Sequence, residues 1–353
     1  MQRGRVCFIS LVSTVRNSLG TAAGLLCLAV LACAGCTAST DGSGSAPGGP
    51  AGSATGPAAP GPVTEYAPYV SATDASDLDG AGSAASYHLA FVIADGDACT
   101  PAWNGTKAVD DPAVRSRITA LTASGASARV SFGGASGPEL AEVCDSAPEL
   151  AEAYGAALDA AGSTAADFDV EGDALKDTAS VGLRSEAIAL LQRDRPGLSV
   201  TFTLPVMPSG LDDHGMALLD SAAAEGVEVT TVNIMTMNYA RSYDGDMGDY
   251  AQRAAESAHR QLRAVFGTSE STAWRALALT PMLGVNDVDD ETFTLEDAAQ
   301  VREFAEEKGV AWVSMWATFR DRECEGAARD ALVDCSGVDQ EDGAFGKAFS
   351  PRP

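Results

Sequence analysis

Residues 65–353 are predicted to form an α/β fold, a (β/α)8 or TIM barrel, preceded by a signal peptide and a disordered linker. Short β-rich segments alternate with Ala-rich amphipathic segments, and this alternation is typical of a parallel sheet. Eight such units fit into about 285 residues, which is the size of a barrel domain. The alternative is a doubly wound open sheet. No GxGxxG motif follows the first predicted strand, at 73–86, which disfavours that alternative.

The eight predicted strands are rich in β-branched and aromatic residues, which favour pleated strands. They span 66–72, 87–94, 128–133, 166–171, 198–206, 230–239, 276–284 and 311–318. Helices are predicted between them at 147–161, 179–193, 212–225, 248–266 and 295–308. Several of these helices follow Ser, Thr or Asp, which are common N-cap residues. In a barrel, strands in this arrangement bring their carboxyl ends together at one mouth.

The first 36 residues have the pattern of a bacterial export signal. Three arginines precede an apolar run at 22–34, which is shorter than the roughly 20 residues of a membrane span. The Ala-Gly pair before Cys36 resembles a lipobox, in which the cysteine is lipidated, and Cys33 is the competing site. We therefore expect export, either as a cell-surface lipoprotein or as a secreted protein.

Residues 37–64 are predicted to be a flexible tether. They consist mainly of Gly, Ser, Pro and Ala, with one charged residue and no aromatic residue. Such a segment cannot bury enough apolar surface to offset the entropy lost on ordering.

The charge of the chain excludes some partners. Lys and Arg total 23 against 49 Asp and Glu, which gives a formal net charge of −26. Nucleic acid is not expected as a partner, because phosphate binding requires clustered basic residues. Contact with a membrane is expected only through a lipid anchor. The acidity does not select for or against a neutral substrate.

Four of the eight cysteines lie beyond the export signal, and an even number in an exported domain predicts disulfides. Three pairings are possible, and we favour Cys99–Cys144 and Cys324–Cys335. Free buried thiols are the alternative. A zinc site is not expected, because the chain has no CxxC motif and its three histidines are scattered. No metal or cofactor is implied.

Three acids at the end of the fourth predicted strand carry the clearest chemical signal. Because side chains alternate along a strand, Asp167, Asp169 and Glu171 should face one way, with Phe168 and Val170 facing the other. In a barrel the acids would line the interior near the mouth, where barrel enzymes hold their active sites. Crowded carboxylates cannot all ionise at low cost, so at least one pKa should rise, as a general acid requires. An acidic solvent-facing strand and a calcium site are the alternatives.

The segment resembles the DxxDxDxE catalytic motif of family 18 glycoside hydrolases, the chitinase family. Asp167, Asp169 and Glu171 match the last three acids of the motif, whereas Thr164 stands in place of the first. The resemblance extends from residue 66 to about residue 322. Three more segments resemble family motifs in the expected order: the SxGG motif at 131–134, the MxYD region at 233–239 and the Trp that ends the eighth strand at 314–316.

The resemblance implies a retaining reaction in which the 2-acetamido oxygen of the substrate attacks its own anomeric carbon and forms an oxazolinium ion. Glu171 would be the general acid/base, and Asp169 would orient the acetamido group and stabilise the cation. Asp167 would share a proton or a hydrogen bond with Asp169. Tyr239 or Asn238 would hydrogen-bond the acetamido group from the opposite wall.

Further residues are expected near the sugar. Trp316 would stack on the sugar at the cleavage site, and Trp103, in the loop after the second strand, is a second candidate for sugar contact. Ser131 would hydrogen-bond into the acid cluster, and Met237 would shape the pocket. Core packing is the ordinary alternative for a Trp or a Met.

These observations predict a monomeric chitinase that cleaves β-1,4 bonds between N-acetylglucosamine units in chitin or its oligosaccharides. One alternative with the same chemistry is an endo-β-N-acetylglucosaminidase acting on N-glycans. A second alternative is a non-catalytic barrel that binds chitin oligosaccharides. Barrels of that kind typically lack the terminal glutamate of the motif, which is present here as Glu171.

Overall fold

The computed structural model describes residues 63–325 and 334–351. The predicted signal peptide at 1–36, the linker up to residue 62 and the candidate lipidation sites Cys33 and Cys36 lie outside these ranges. Among the described residues, no helix is both long enough and apolar enough to cross a membrane.

Eight parallel strands form a closed ring. In chain order they are β1 (Glu65–Tyr66 continued by Tyr69–Ser71), β2 (Ser86–Asp95), β3 (Ser127–Gly133), β4 (Ala165–Asp169), β5 (Ser199–Pro205), β6 (Val229–Met235), β7 (Leu277–Thr280) and β8 (Trp312–Val313). The first half of β1 pairs with β8, and its second half pairs with β2. Because β1 joins the last strand to the second, the eight strands close into a ring, and the predicted barrel is confirmed.

Helices surround the ring. They are α1 (Pro112–Thr122), α2 (Leu140–Val143), α3 (Ala147–Ala161), α4 (Gly172–Lys176), α5 (Thr178–Asp194), α6 (Asp213–Ala224), α7 (Met247–Phe266), α8 (Glu270–Arg275), α9 (Leu295–Lys308) and α10 (Ala344–Phe349). The five predicted helices correspond to α3, α5, α6, α7 and α9, and each boundary agrees within one residue. Asp177 illustrates the capping, because its carboxylate accepts the backbone N–H groups of Ala179 and Ser180 at the start of α5.

The outward faces of the strands build the apolar layer between ring and helices. Phe168 of β4 stacks on Phe132 of β3, with ring centroids 5.3 Å apart. Tyr154 of α3 meets Phe168 edge-on at 5.0 Å. Phe168 and Val170 are each 1% exposed, so the apolar pair of the acidic segment packs outward, as predicted. The acids between them are therefore left to face the interior.

Inside the ring the side chains are polar where many barrels carry Val, Ile and Leu. The buried polar residues of β2, β3, β4, β5, β6 and β7 include His88, Arg129, Ser131, Asp167, Thr203, Asn233 and Thr280. Polar groups in such an environment need hydrogen-bond partners, because an unpaired one costs about 1–3 kcal/mol. The interior is thus built to hold a defined network of side chains beneath the mouth.

Several strands end earlier than predicted. β4 ends at Asp169, and Glu171 lies beyond it as the residue that precedes α4. β6 ends at Met235 rather than at residue 239, and Asn238 adopts a left-handed backbone with φ of 54°. Strand alternation therefore does not apply to the residues at the mouth, because the backbone turns there.

The segment predicted as a loop after the second strand is a strand. Ala98–Trp103 pairs antiparallel with β2, and Lys107–Ala108 pairs with it in turn. The disulfide Cys99–Cys144 ties this hairpin to the end of α2, and a second disulfide joins Cys324 to Cys335. Both favoured pairings are confirmed.

Candidate functional site

A cavity of about 770 Å³ opens at the carboxyl ends of the barrel strands. Its apolar lining includes Tyr69, Phe91, Met235, Met237 and Trp316. Its polar lining includes Asp169, Glu171, Thr203, Asn238, Thr280 and Asp287. A concave, largely apolar cavity with a few convergent polar groups is the usual form of a small-ligand site.

Asp167 lies beneath the cavity, completely buried. Its Oδ2 accepts hydrogen bonds from Tyr69 Oη at 2.8 Å and Ser131 Oγ at 2.6 Å, and its Oδ1 accepts one from Thr203 Oγ1 at 2.7 Å. Burial raises the pKa of Asp167, whereas these three donors and the nearby Arg129 lower it. The carboxyl is therefore fixed in orientation from three strands.

Asp169 and Glu171 lie above Asp167, in the wall of the cavity. Burial raises the pKa of Asp169 well above its ordinary value, and the charges of Glu171 and Asp167 raise it further. Burial also raises the pKa of Glu171, with contributions from Glu139 and Asp287. The expectation that at least one pKa rises is confirmed in direction for all three acids of the motif.

The predicted proton or hydrogen bond shared by Asp167 and Asp169 is not present among the described contacts. The Asp167 oxygens are occupied by hydroxyl donors, and Oδ1 of Asp169 is buried without a partner. The two carboxyls influence one another through charge alone. Asp169 lines the cavity, so its carboxyl group can accept a hydrogen bond from a ligand there.

Trp316 forms an aromatic wall of the cavity. Its ring stacks on Phe91 with centroids 5.5 Å apart and an interplanar angle of 23°, and it meets Tyr69 edge-on at 5.8 Å. Tyr69 in turn donates to Asp167. The indole and the acid cluster are thus joined through one side chain, and Trp316 is where the sequence predicted it.

The residues after β6 divide between the cavity and the core. Asn238 lines the cavity, and its Nδ2 donates to Asp287 Oδ2 at 3.2 Å. Tyr239 is 5% exposed and packs between Tyr243 and Tyr250, away from the cavity lining. Of the two candidates for the opposite wall, the fold therefore offers Asn238, and the assignment of Tyr239 to the site is corrected.

Two further assignments need correction. Trp103 is fully buried, and its indole N–H donates to Val109 O at 3.2 Å, so it packs in the core instead of contacting a ligand. Ser131 is also fully buried and contacts Asp167, as predicted, which leaves it no access to a substrate. Met237 lies in the cavity lining, as expected.

The sequence reasoning missed three residues around the acids. Tyr69 could have been found, because the register of the first strand places it on the interior face. Asp287 follows β7 in an acidic loop, and its sequence context offers no signal. Glu139, whose charge raises the pKa of both Asp169 and Glu171, follows the Gly-Gly turn after β3. Among the described residues no cluster of His, Cys, Asp and Glu is arranged to hold a metal ion.

Two known proteins are similar in sequence to this chain. No family model matches it. A probable bifunctional chitinase/lysozyme of Escherichia coli is 33% identical over 275 residues, covering 72% of this chain and 31% of that protein. Endochitinase 11 of Metarhizium anisopliae is 32% identical over 275 residues, covering 72% and 52%. The chain thus spans about a third to a half of the length of these two relatives.

A solved structure decides the family. Catalytic-site mutants of active domain 2 of the chitinase from Pyrococcus furiosus, complexed with chito-oligosaccharides, are 30% identical to this chain. The match covers 82% of this chain and 95% of that domain, with a TM-score of 0.70. The chain belongs to the family 18 chitinases. Thr164, which replaces the first acid of the family motif, is exposed and lies just before β4, at the end of the strand away from the mouth. The three acids nearer the mouth are retained.

Proposed function

We propose that this family 18 chain is a chitinase that cleaves β-1,4 bonds in chitin oligosaccharides with retention, using the acetamido group of the substrate as nucleophile. The observation that carries the proposal is the presence of Asp169 and Glu171 in one cavity wall, both with raised pKa, next to the indole of Trp316. The P. furiosus domain that matches this chain was solved with chito-oligosaccharides, which supports the same class of ligand here.

In the proposed reaction, Glu171 protonates the leaving glycosidic oxygen and later removes a proton from the attacking water. Its raised pKa keeps that proton in place at higher pH than an ordinary glutamate would. Asp169, which lines the same cavity, accepts the acetamido N–H and stabilises the cation that forms. Asp167, held by three hydroxyl donors, keeps a fixed orientation below the site.

Product analysis tests the proposal. N-acetylglucosamine oligomers should give shorter oligomers by mass spectrometry, and NMR should detect the β-anomer first. Absence of cleavage with retained binding would favour a non-catalytic barrel. Release of glycans from N-glycoproteins at a higher kcat/KM than cleavage of the oligomers would favour an endo-β-N-acetylglucosaminidase.

Trp316→Ala should lower kcat/KM on chito-oligosaccharides on the order of 10- to 100-fold, because a stacking surface for the sugar is lost. Unfolding should stay cooperative, since Trp316 is only partly buried. Trp274→Ala is the matched control: Trp274 stacks on His259 at 4.0 Å outside the cavity, so it should lower Tm without lowering activity per folded molecule. Unfolding of the Trp316 variant would instead assign that indole to packing.

Soluble oligomers should be cleaved faster than crystalline chitin. Among the described residues, Val63 is the only large apolar side chain that is mostly exposed, so no largely exposed aromatic side chain is offered there to a crystalline polymer. Initial rates on chitohexaose and on crystalline chitin, at equal sugar concentration, measure the difference. Equal rates would contradict the prediction.

We further propose that the protein is exported and acts at the cell surface or as a secreted monomer. The arginines, the apolar run and the lipobox-like Ala-Gly-Cys36 support export. Mass analysis of the mature N-terminus distinguishes a lipidated Cys36 from a lipidated Cys33 and from unmodified cleavage.

A further inference from the structure

Glu139 is a buried acid close to the candidate site but outside its cavity. It is 6% exposed and does not belong to the cavity lining. It precedes α2, and its backbone N–H donates to Glu142 Oε2 at 3.0 Å, which fixes the backbone at the start of the helix. A local hydrogen bond thus helps to fix the backbone of Glu139 independently of long-range contacts.

The Glu139 carboxylate has two different environments. Oε2 is ion-paired with Arg184 of α5, which is 1% exposed. Oε1 is buried without a hydrogen-bond partner. In a buried carboxylate both oxygens usually accept hydrogen bonds, so the unpartnered Oε1 of Glu139 needs a physical explanation.

The free oxygen lies beside the end of β4. A methyl group on Gly133 would come within 2.9 Å of Glu139 Oε1 and within 2.2 Å of the carbonyl oxygen of Asp169. Gly133 also has a φ of 93°, which other residues rarely adopt. Only glycine at this position therefore lets the Glu139 carboxylate approach the strand end that carries the acids.

We propose that Glu139 is a positioning residue whose negative charge, oriented by Arg184, helps retain the catalytic proton on Glu171; this rests on the proposed function of Glu171. Glu139 faces Arg184 on α5, Tyr154 on α3, Glu142 on α2 and the two acids at the end of β4. The negative charge of Glu139 raises the pKa of both Asp169 and Glu171, which supports this role. Asp287 acts on Glu171 in the same sense from the loop after β7.

The pH profile of Glu139→Gln tests this inference. Glu171 must be protonated to act as the acid, so activity falls as pH rises through its pKa. Removing a nearby negative charge lowers that pKa, and the alkaline limb of kcat/KM on chito-oligosaccharides should move about one unit toward acid. KM should stay within about two-fold, because Glu139 does not line the cavity. Glu186→Gln, an exposed change of equal charge on α5, should leave the limb in place.

A role limited to anchoring α2 on α5 predicts a different result. It would lower Tm, or kcat at all pH values, without moving the limb. Because Glu139→Gln leaves Arg184 buried without its partner, Glu139→Gln/Arg184→Met is the second variant, in which both charges are absent. It should fold and show a smaller shift in the same direction.

The inference and the proposed function fail differently. An unshifted limb in a folded, active Glu139 variant overturns the inference alone, and so does loss of folding in both variants, which would assign the pair to structure. Wild-type protein that cleaves no chito-oligosaccharide overturns the proposed function instead.

Discussion

Glu171→Gln is expected to lower kcat on chito-oligosaccharides by roughly 10²- to 10⁴-fold while leaving oligosaccharide binding nearly unchanged. The amide keeps the shape of the side chain in the cavity wall, but it has no proton of suitable acidity for the leaving oxygen. Because the lost interaction forms only in the transition state, kcat and kcat/KM should fall together. Steady-state kinetics and calorimetric titration with chitotetraose measure the two effects separately.

Asp173→Asn is the matched control for this variant. Asp173 lies two residues further along the chain, its side chain is 97% exposed, and its contact is an ion pair with Lys176. It removes the same charge without touching the cavity, so its kcat should stay within about two-fold of wild type. A Glu171→Gln protein with full activity would require a different proton donor and would contradict the proposed mechanism.

The alternation of strands and helices made the fold predictable, since each of the eight predicted strands and five predicted helices corresponds to a strand or helix of the structure. The acid cluster was predictable for the same reason: within β4 the period of two holds, which places Asp167 and Asp169 inside and Phe168 outside. Glu171 lies beyond the strand, where alternation no longer applies, but it still lines the same cavity as Asp169.

The rest of the site depends on contacts that no local pattern encodes. Tyr69 reaches Asp167 across 98 positions, and Arg184 reaches Glu139 across 45. Beyond β6 the alternation fails, because the left-handed backbone of Asn238 directs Tyr239 into the core. Trp103 was placed in a loop, but the hairpin to which it belongs folds back on β2 and buries it. These residues therefore depend either on which distant segments the fold brings together or on where the chain leaves a regular element.

Asp169→Asn should reduce kcat on the order of 10²-fold or more, because a neutral amide cannot stabilise the developing cation as a carboxylate does. The same change should make the protein more stable at neutral pH. Burial and the charges of Glu171, Asp167 and Glu139 disfavour the ionised form of Asp169, so the folded protein bears a cost that an amide avoids. Activity and stability should therefore move in opposite directions.

The sign of the pH dependence follows from linkage. The pKa of Asp169 is higher in the folded protein than the value of about 3.9 in an unfolded chain. Below the unfolded value both states carry the proton, and ionisation costs nothing. As pH rises toward the folded pKa, the unfolded state alone releases its proton, so wild-type stability falls through this window. The variant has no group that titrates at this position.

The Tm difference between Asp169→Asn and wild type should therefore be small near pH 4, grow as pH rises, and level off above the folded pKa of Asp169. Thermal unfolding at a series of pH values measures it, with Asp173→Asn as the control, since it removes an acid of the same type outside the cavity. A variant that is less stable than wild type at neutral pH would mean that the ionised Asp169 carboxylate gains more from its surroundings than burial costs. In that case burial and the charges of Glu171, Asp167 and Glu139 would not raise the pKa of Asp169 in the folded protein.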